Sequence, residues 1–483
     1  MDNTNFQLLL ELLERESSAR IASEEARVAE NSARAAENSA FQQTIEDLNT
    51  TIKQLNDTIG LLLEENRLLK GPKKNSSNSS VPPSKDPNRP KRTNSLRKSS
   101  GKSSGGQTGH DGSTLQMCST PDVLIDHRPD FCNCCGLDLV DQPGQLTSRR
   151  QVIDIPPIAP LYTEHRVFQK KCTCGHKTSG TFPNGVAAPI SYGPQTSAVI
   201  AYLHTRQFVP LARISEFFTS VCNMPISQGT ICGILDRLAE KARPAFELIK
   251  QAVCKSSVVG SDETGVNLNG KLHWIWTWQS QKATYITFSS SRGKQTIQDN
   301  FPEGFHNSIL VSDCLASQLA TQARGHQICT AHLLRELLFF QEKYQSNWAD
   351  RFRAMLLTSL QLKKNIPIDA YDKHIKERAD LESILESLLN ERIDPGHIEV
   401  VTFQKRIIKL RDYLFTFLYH KEVPAENNAS ERAIRNVKVK QKVSGMFKAK
   451  TGVRNYTIFR SIADTCIKNT QCILNAFYTV ATI

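Results

Sequence analysis

The sequence predicts a multidomain α+β protein. Three observations carry that expectation: an N-terminal helix with a heptad seam, a pair of cysteine knuckles among strand-like stretches, and alternating strand patterns from residue 256 that give way to a long helical segment. At 483 residues the chain has room for two to four folded units. Hydrophobic residues at 39% and charged residues at 22% supply a sizeable core and exclude a fibrous or wholly disordered chain. No run of about 18 apolar residues occurs, and the opening MDNTNFQLLLELLERE is acidic and lacks a basic n-region. Neither membrane insertion nor secretion is expected, which leaves the cytoplasm.

Residues 1–70 read as a helical dimerisation region. From Phe41 onward the apolar residues step by alternate threes and fours through Ile45, Leu48, Ile52, Leu55, Ile59 and Leu62, then Asn66 and Leu69. Ile at a, Leu at d and a single Asn at a favour a parallel two-stranded coiled coil and set its register. The uncharged Asn49, Thr51, Asn56 and Thr58 at e and g encode partner choice only weakly. An amphipathic helix packed on the chain's own core is the alternative.

Residues 71–115 are expected to be a basic disordered linker. Positions 71–110 hold 10 Ser, 5 Gly and 5 Pro, with 9 basic side chains against 1 acidic. Such a segment cannot bury enough apolar surface to fold. Its cations could track phosphates without reading sequence, or simply keep a tether soluble.

Residues 116–185 read as a zinc ribbon. Cys132 and Cys135 precede Gly136, Cys172 and Cys174 precede Gly175, and strand-like TSRRQVIDIPP and YTEHRVFQ lie between them. Four thiolates would close a tetrahedral Zn²⁺ site of the structural kind, with Cys134 and His176 as spare ligands. Thirteen cysteines in a chain expected to stay in a reducing compartment argue for thiols that bind metal where they cluster. Residues 186–254 follow as helices, with a break at Asn223–Pro225 and Ser227 as an N-cap. That outline is a helix-turn-helix, in which Gln228, Thr230 and Arg237 could read DNA; ordinary core packing is the alternative.

The chemistry is expected in residues 255–465. SSVVGSDETGV, KLHWIWTWQ and ATYITFSSS form a three-strand meander with Asp262 on its first strand, and NLNG makes the first turn. SILVSDCLAS adds a strand that delivers Asp313 at its end, and HQICTAH is expected as a further strand ending at His332 before the helix LLRELLFFQEKY. Residues 333–420 read as a helical insertion, and beyond 465 a helical tail runs to residue 483. After the insertion Glu431 follows Asn428 by three residues and opens a helix. Two strand-end carboxylates and a helix carboxylate repel unless divalent cations sit among them. This is the ribonuclease-H-like arrangement for phosphoryl transfer, in which two Mg²⁺ or Mn²⁺ ions activate the nucleophile and stabilise the leaving oxygen.

The chain resembles the insertion-sequence-66 family of DDE transposases over nearly its whole length. The resemblance lies in NSSVPPSKD and GGQTGHDGSTL, the knuckles around RQVIDIPP and TEHR, SYGPQTSAVIAYLHTRQFVPLARISEFF, SDETGV, VSDC, HQICTAHLLREL and ENNASERAIR. It implies that Asp262, Asp313 and Glu431 are the metal-binding catalytic triad. His332, in the AHLLRE segment, is then an auxiliary that positions a phosphate or a carboxylate, unless it is a core histidine; Asn428 is a second auxiliary. The implied activity is cleavage of DNA at an element's ends and strand transfer into target DNA, by at least a homodimer associated with a bacterial nucleoid. A DNA-binding protein without catalysis, such as a decayed transposase, and a ribonuclease-H-like nuclease or resolvase are the competing readings.

The charge distribution agrees with a polyanionic partner. Residues 1–70 carry 7 basic and 13 acidic side chains, whereas residues 431–460 carry 9 basic and 1 acidic. Within the second group Arg432, Arg435, Lys438, Lys440, Lys442, Lys448 and Lys450 are the expected contacts to DNA phosphates.

Overall fold

The computed structural model describes residues 3–70, 74–75, 78–79, 115–183, 185–186, 188–367, 371 and 373–483. The expected linker, 71–115, lies outside these residues apart from 74–75, 78–79 and 115. The chain divides into two compact units, Met1–Pro87 with Arg335–Arg351, and Asn88–Leu334 with Phe352–Ile483.

The first unit is dominated by α1 (Asn3–Lys70), one continuous helix of 68 residues. At about 1.5 Å per residue it spans on the order of 100 Å. Ile45, Leu48, Ile52, Leu55, Ile59 and Leu62 all lie exposed along it.

In the second unit, residues 115–190 are largely exposed. A two-stranded ribbon, β1 (Gln169–Lys171) and β2 (Lys177–Ser179), flanks the second knuckle. The expected strand over TSRRQVIDIPP does not form a ladder, and the first knuckle carries an isolated bridge between Phe131 and Asp138.

Helices α2 (Pro194–Thr205), α3 (Leu211–Ser220) and α4 (Gln228–Cys254) follow. Pro194 begins α2, where its missing N–H costs nothing. Ser227 caps α4 by accepting the Thr230 N–H at 3.1 Å. The helix α4 turns Ile231, Ile234, Leu235, Leu238, Ala242 and Phe246 inward and leaves Gln228 and Arg237 exposed.

A mixed five-stranded sheet lies at the centre of this unit. It comprises β3 (Val258–Leu268), β4 (Lys271–Gln279), β5 (Thr284–Ser289), β6 (Phe305–Ser312) and β7 (Ala323–Ile328), in the order β5-β4-β3-β6-β7. The first three strands form the antiparallel meander, with Asn269 and Gly270 both at positive φ in its two-residue turn. Helices α5 (Lys294–Asn300) and α6 (Ala316–Leu319) provide the connections that allow β6 and β7 to run parallel to β3.

Helices α7 (Thr330–Tyr344), α8 (Asn347–Asn365), α9 (Ile375–Asn390), α10 (Ile398–Leu410) and α11 (Thr416–Tyr419) make up the helical stretch that follows. The chain then returns to the sheet through α12 (Asn428–Ser444), α13 (Lys450–Lys468) and α14 (Ile473–Thr482). Val437 of α12 with Val453 and Tyr456 of α13 cover Val266, Ile275 and Ile286 of the sheet. A larger core joins α2, α4, α13 and α14 to Val259, Trp276, Trp278 and Leu310. Among the described residues no helix is long and apolar enough to cross a membrane.

Candidate active site

The site begins with the register between β3 and β6. Val259 pairs with Leu310 and Gly260 with Val311. Asp262 stands two residues further along β3, and Asp313 is the first residue after β6 ends at Ser312, so both lie beyond the same end of the β3–β6 ladder. Asp262 Oδ1 accepts the Glu263 N–H at 2.8 Å, and Asp313 Oδ1 accepts the Leu315 N–H at 3.0 Å.

Glu431 arrives from the first turn of α12, and the turn before that helix holds it against β3. Asn427 Nδ2 donates to the Ser261 carbonyl at 2.7 Å, and Ser430 Oγ donates to Asn427 Oδ1 at 2.6 Å. The approach requires glycine at 260: a Cβ there would lie 2.5 Å from Ser430 Oγ and 2.9 Å from Asn427 Oδ1. Burial pushes the Asp262 carboxyl well above its ordinary range, and the charges of Glu263, Asp313 and Glu431 push it further. The three acids thus share one electrostatic environment, and their oxygen-only donor set suits Mg²⁺ or Mn²⁺. They do not close into a single-ion cluster of ligand atoms within 4.8 Å.

Two further groups stand beside them. His332 Nε2 lies 4.0 Å from Glu431 Oε1. The sequence expects a strand as far as His332, but β7 stops at Ile328 and α7 starts at Thr330. The reason is that the Thr330 N–H and hydroxyl both donate to the Ala425 carbonyl at 3.0 Å, rather than to a ladder partner. Cys329, between strand and helix, is fully buried, and its thiol is raised to about 11 by that burial.

Glu263, unnoticed in the sequence beside Asp262, is buried on the opposite face of β3. Its Oε1 accepts from Arg292 Nη2 at 2.6 Å and Nε at 2.8 Å, and its Oε2 from Gln318 Nε2 at 2.7 Å. Gln318 belongs to α6, directly after Asp313, so Glu263 ties the Asp313 loop to β3. Burial, with the Asp313 charge next, raises Glu263 to about 7, against the opposing pull of Arg292. The signal available in the sequence was the second acid of SDE. Asn427 was equally hidden, because its neighbour Asn428 fits the spacing to Glu431 better; the Asn428 amide instead donates to Glu426 Oε2.

A family model described as Transposase IS66 family matches residues 189–455, a span that contains Asp262, Asp313 and Glu431. This chain belongs to that family. No curated protein matches its sequence.

The basic residues of this IS66-family transposase separate into two sets. Arg432, Arg435, Lys442, Lys448 and Lys450 are exposed. Lys438 is half-buried and donates to the Gly265 carbonyl at 2.5 Å. The expectation for Lys440 requires correction: only 4% exposed, it lies 3.2 Å from His204 Nδ1 and donates to the Val209 carbonyl at 3.4 Å. Burial lowers it to about 8. It faces α2 because α12 turns the Val437 and Lys440 side inward.

The cysteine knuckles of this transposase lie outside the matched span. Each has the local turn a metal knuckle needs, with the Gly136 N–H donating to the Cys132 carbonyl and the Gly175 N–H to that of Cys172, both at 2.9 Å, and both glycines at positive φ. Backbone N–H groups, chiefly of Cys135 and of Cys174, hold the Cys132 and Cys172 thiols below their ordinary range. The expected meeting of Cys132 and Cys135 with Cys172 and Cys174 is not formed. Among the described residues the one group of three or more metal-ligating side chains within 4.8 Å is Cys329, His332 and Glu431. No ladder over residues 147–168 draws the two knuckles together. None of the 13 cysteines is in a disulfide.

Proposed function

We propose that this chain is a DNA transposase that hydrolyses phosphodiesters at the ends of its element and joins the freed 3′-hydroxyls to target DNA. The carrying observation is that the β5-β4-β3-β6-β7 sheet bears Asp262 on β3 and Asp313 just after the neighbouring β6, with the Glu431 helix bonded to β3 through Asn427 and the Ser261 carbonyl, which supports a DDE triad on a ribonuclease-H-like sheet. Asp262, Asp313 and Glu431 would hold two Mg²⁺ or Mn²⁺ ions, which when bound would supply water activation and charge neutralisation at the leaving oxygen. Asp262 and Asp313 hold the side of the nucleophile and Glu431 completes the set, so that attack proceeds in line without a covalent enzyme–DNA intermediate. His332 orients the Glu431 carboxylate, and Asn428 steadies the turn before it through Glu426. Arg432, Arg435, Lys442, Lys448 and Lys450 hold the DNA backbone.

The surrounding segments take supporting roles in this reading. The exposed Ile and Leu seam of α1 pairs protomers, so that two element ends are held together. The α3–α4 pair recognises terminal repeats through Gln228, Thr230 and Arg237. The two knuckle turns support a ribbon that closes when Zn²⁺ joins Cys132, Cys135, Cys172 and Cys174, as small metal modules do.

The deciding experiment is Mg²⁺-dependent cleavage of end-containing DNA. Wild-type protein is expected to yield nicked ends and joined products, and Asp262→Asn neither; undiminished cleavage by the variant defeats the mechanism. Cleavage without joining indicates a nuclease, and tight end binding without cleavage indicates a DNA-binding protein alone.

A further inference from the structure

We infer that Cys329, His332 and Glu431 form a binding site for one thiophilic divalent ion, of the Zn²⁺ or Cd²⁺ class, which engages Glu431 in competition with the oxygen-bound ions of the active site. The competition rests on the transposase reading, whereas the binding site does not.

The three side chains come from two segments clamped to each other. Cys329 closes β7, its N–H donating to the Ser312 carbonyl at 2.8 Å beside Asp313. His332 follows by three residues, in the first turn of α7, and its N–H donates to the Cys329 carbonyl at 3.2 Å. Glu431 belongs to α12, and the Asn427 N–H at the head of that helix donates to Cys329 Sγ at 3.2 Å. Thr330 adds its two bonds to Ala425, just before α12. Sulfur, nitrogen and oxygen are therefore presented by backbone that is fixed on both sides, with all three ligand atoms within 4.8 Å of one another.

The donor set selects the ion. A thiolate and an imidazole suit Zn²⁺ and Cd²⁺, whereas Mg²⁺ takes oxygen ligands. Bonds of about 2.0–2.3 Å in a tetrahedral site imply ligand separations of about 3.3–3.8 Å, so closure needs movements of about 1 Å, within reach of side-chain rotation. As the sulfur–metal bond forms, the Cys329 thiol proton passes to solvent, and no oxidation or reduction is involved. The thiolate and the carboxylate then neutralise the dication while the imidazole stays neutral, so the buried site carries no net charge. The side chains of His332 and Glu431 are 20% and 24% exposed, which opens a path for the ion. Three protein ligands leave the fourth position to water. Glu431 is shared, so an ion held here withdraws it from Asp262 and Asp313.

The test is a Cd²⁺ titration of the full chain carrying Cys132→Ser, Cys135→Ser, Cys172→Ser and Cys174→Ser, read by the ultraviolet thiolate-to-Cd²⁺ charge-transfer band. One ion per chain with a single-thiolate band is expected. The band should disappear with Cys329→Ser, and affinity should fall at least tenfold with His332→Ala or Glu431→Gln. An unchanged band in Cys329→Ser, or unchanged affinity in both other variants, overturns the site. Because Cys329 is buried, the two partly exposed positions decide the matter should its variant fail to fold. In the second arm Zn²⁺ is added to the Mg²⁺-dependent cleavage reaction, and each protein is scored against its own zinc-free rate. Inhibition that is lost in His332→Ala supports the competition, and its absence in the parent protein overturns it. A chain that binds Cd²⁺ as described but never cleaves DNA upholds the site and defeats the transposase reading instead.

Discussion

The side-chain amide of Asn427 donates to the backbone carbonyl of Ser261 at 2.7 Å, and this bond joins the head of α12 to the strand that carries Asp262. Asn427 Oδ1 meanwhile accepts from Ser430, and Glu431 follows directly. The third acid is thus positioned by a residue four places before it, through a contact with the neighbour of the first acid.

Loss of that bond should affect both stability and activity. Asn427→Ala strands a buried carbonyl, which costs about 1–3 kcal/mol, and releases the head of α12. Gly260→Ala forces the same two elements apart and is expected to cost a similar amount, about 1–3 kcal/mol. Denaturant unfolding measures the first effect, and cleavage assayed on the fully folded fraction measures the second, where each variant should lose at least tenfold. Unaltered cleavage by folded Asn427→Ala contradicts the positioning role.

The raised carboxyls predict a pH-dependent response to divalent ions. Glu263 stands at about 7 in the fold against an ordinary 4.5, and Asp262 is raised as well. The folded state therefore binds more protons than the unfolded chain, so these groups favour the fold in acid and weaken it as pH rises from about 4.5 through 7. An ion beside Asp262 removes part of that cost only where the acid is ionised. Addition of Mg²⁺ should raise the melting temperature more in mildly alkaline than in mildly acidic buffer, by calorimetry against an EDTA control, and Asp262→Asn should reduce the difference. An equal rise in both buffers contradicts the prediction.

Glu263 should matter through the loop that it holds. Glu263→Gln keeps the side-chain shape and one acceptor, whereas Glu263→Ala leaves Gln318 without its partner and Arg292 without its ion pair. Because Arg292 is half-exposed, we expect the alanine variant to lose about 1.5–3 kcal/mol of stability, the scale of hydrogen bonds to a charged group, and the glutamine variant clearly less. Thermal melts at neutral pH provide the comparison, and equal losses would show that the hydrogen bonds to Arg292 and Gln318 contribute little.

The two sets of cations should differ in their salt dependence. Arg435→Gln is expected to lower the slope of log affinity against log salt by about 1, because one phosphate contact is removed. Lys440→Met should leave that slope unchanged, since Lys440 is turned towards His204. Fluorescence anisotropy with duplex DNA at several salt concentrations measures both slopes, and a reduced slope for Lys440→Met would return that residue to the DNA-binding face.

The local features of the chain were legible wherever one segment contained its own signal. The heptad of α1, the Ser227 cap and the Asn269–Gly270 turn each depend on residues within a few positions of one another, and each element stands where the pattern indicates. The strand position of Asp262, the place of Asp313 at the end of a strand and the helical position of Glu431 were readable for the same reason. The boundary near His332 is not legible locally, because the sequence of HQICTAH does not reveal that the Ala425 carbonyl, 95 residues further on, captures Thr330 where a helix starts.

By itself, then, the sequence determined the elements, the kinds of acid available and the family resemblance, all of which arise from short-range periodicity and residue chemistry. Only the tertiary structure decided which groups share an environment. It turned Lys440 into the core and left Arg435 outside, placed Glu263 on a loop anchor, and brought Cys329 and His332 to Glu431. These outcomes depend on how α12 docks on β3, and that docking is governed by a missing Cβ at Gly260 and a side-chain amide at Asn427, neither of which leaves a periodic trace in the chain.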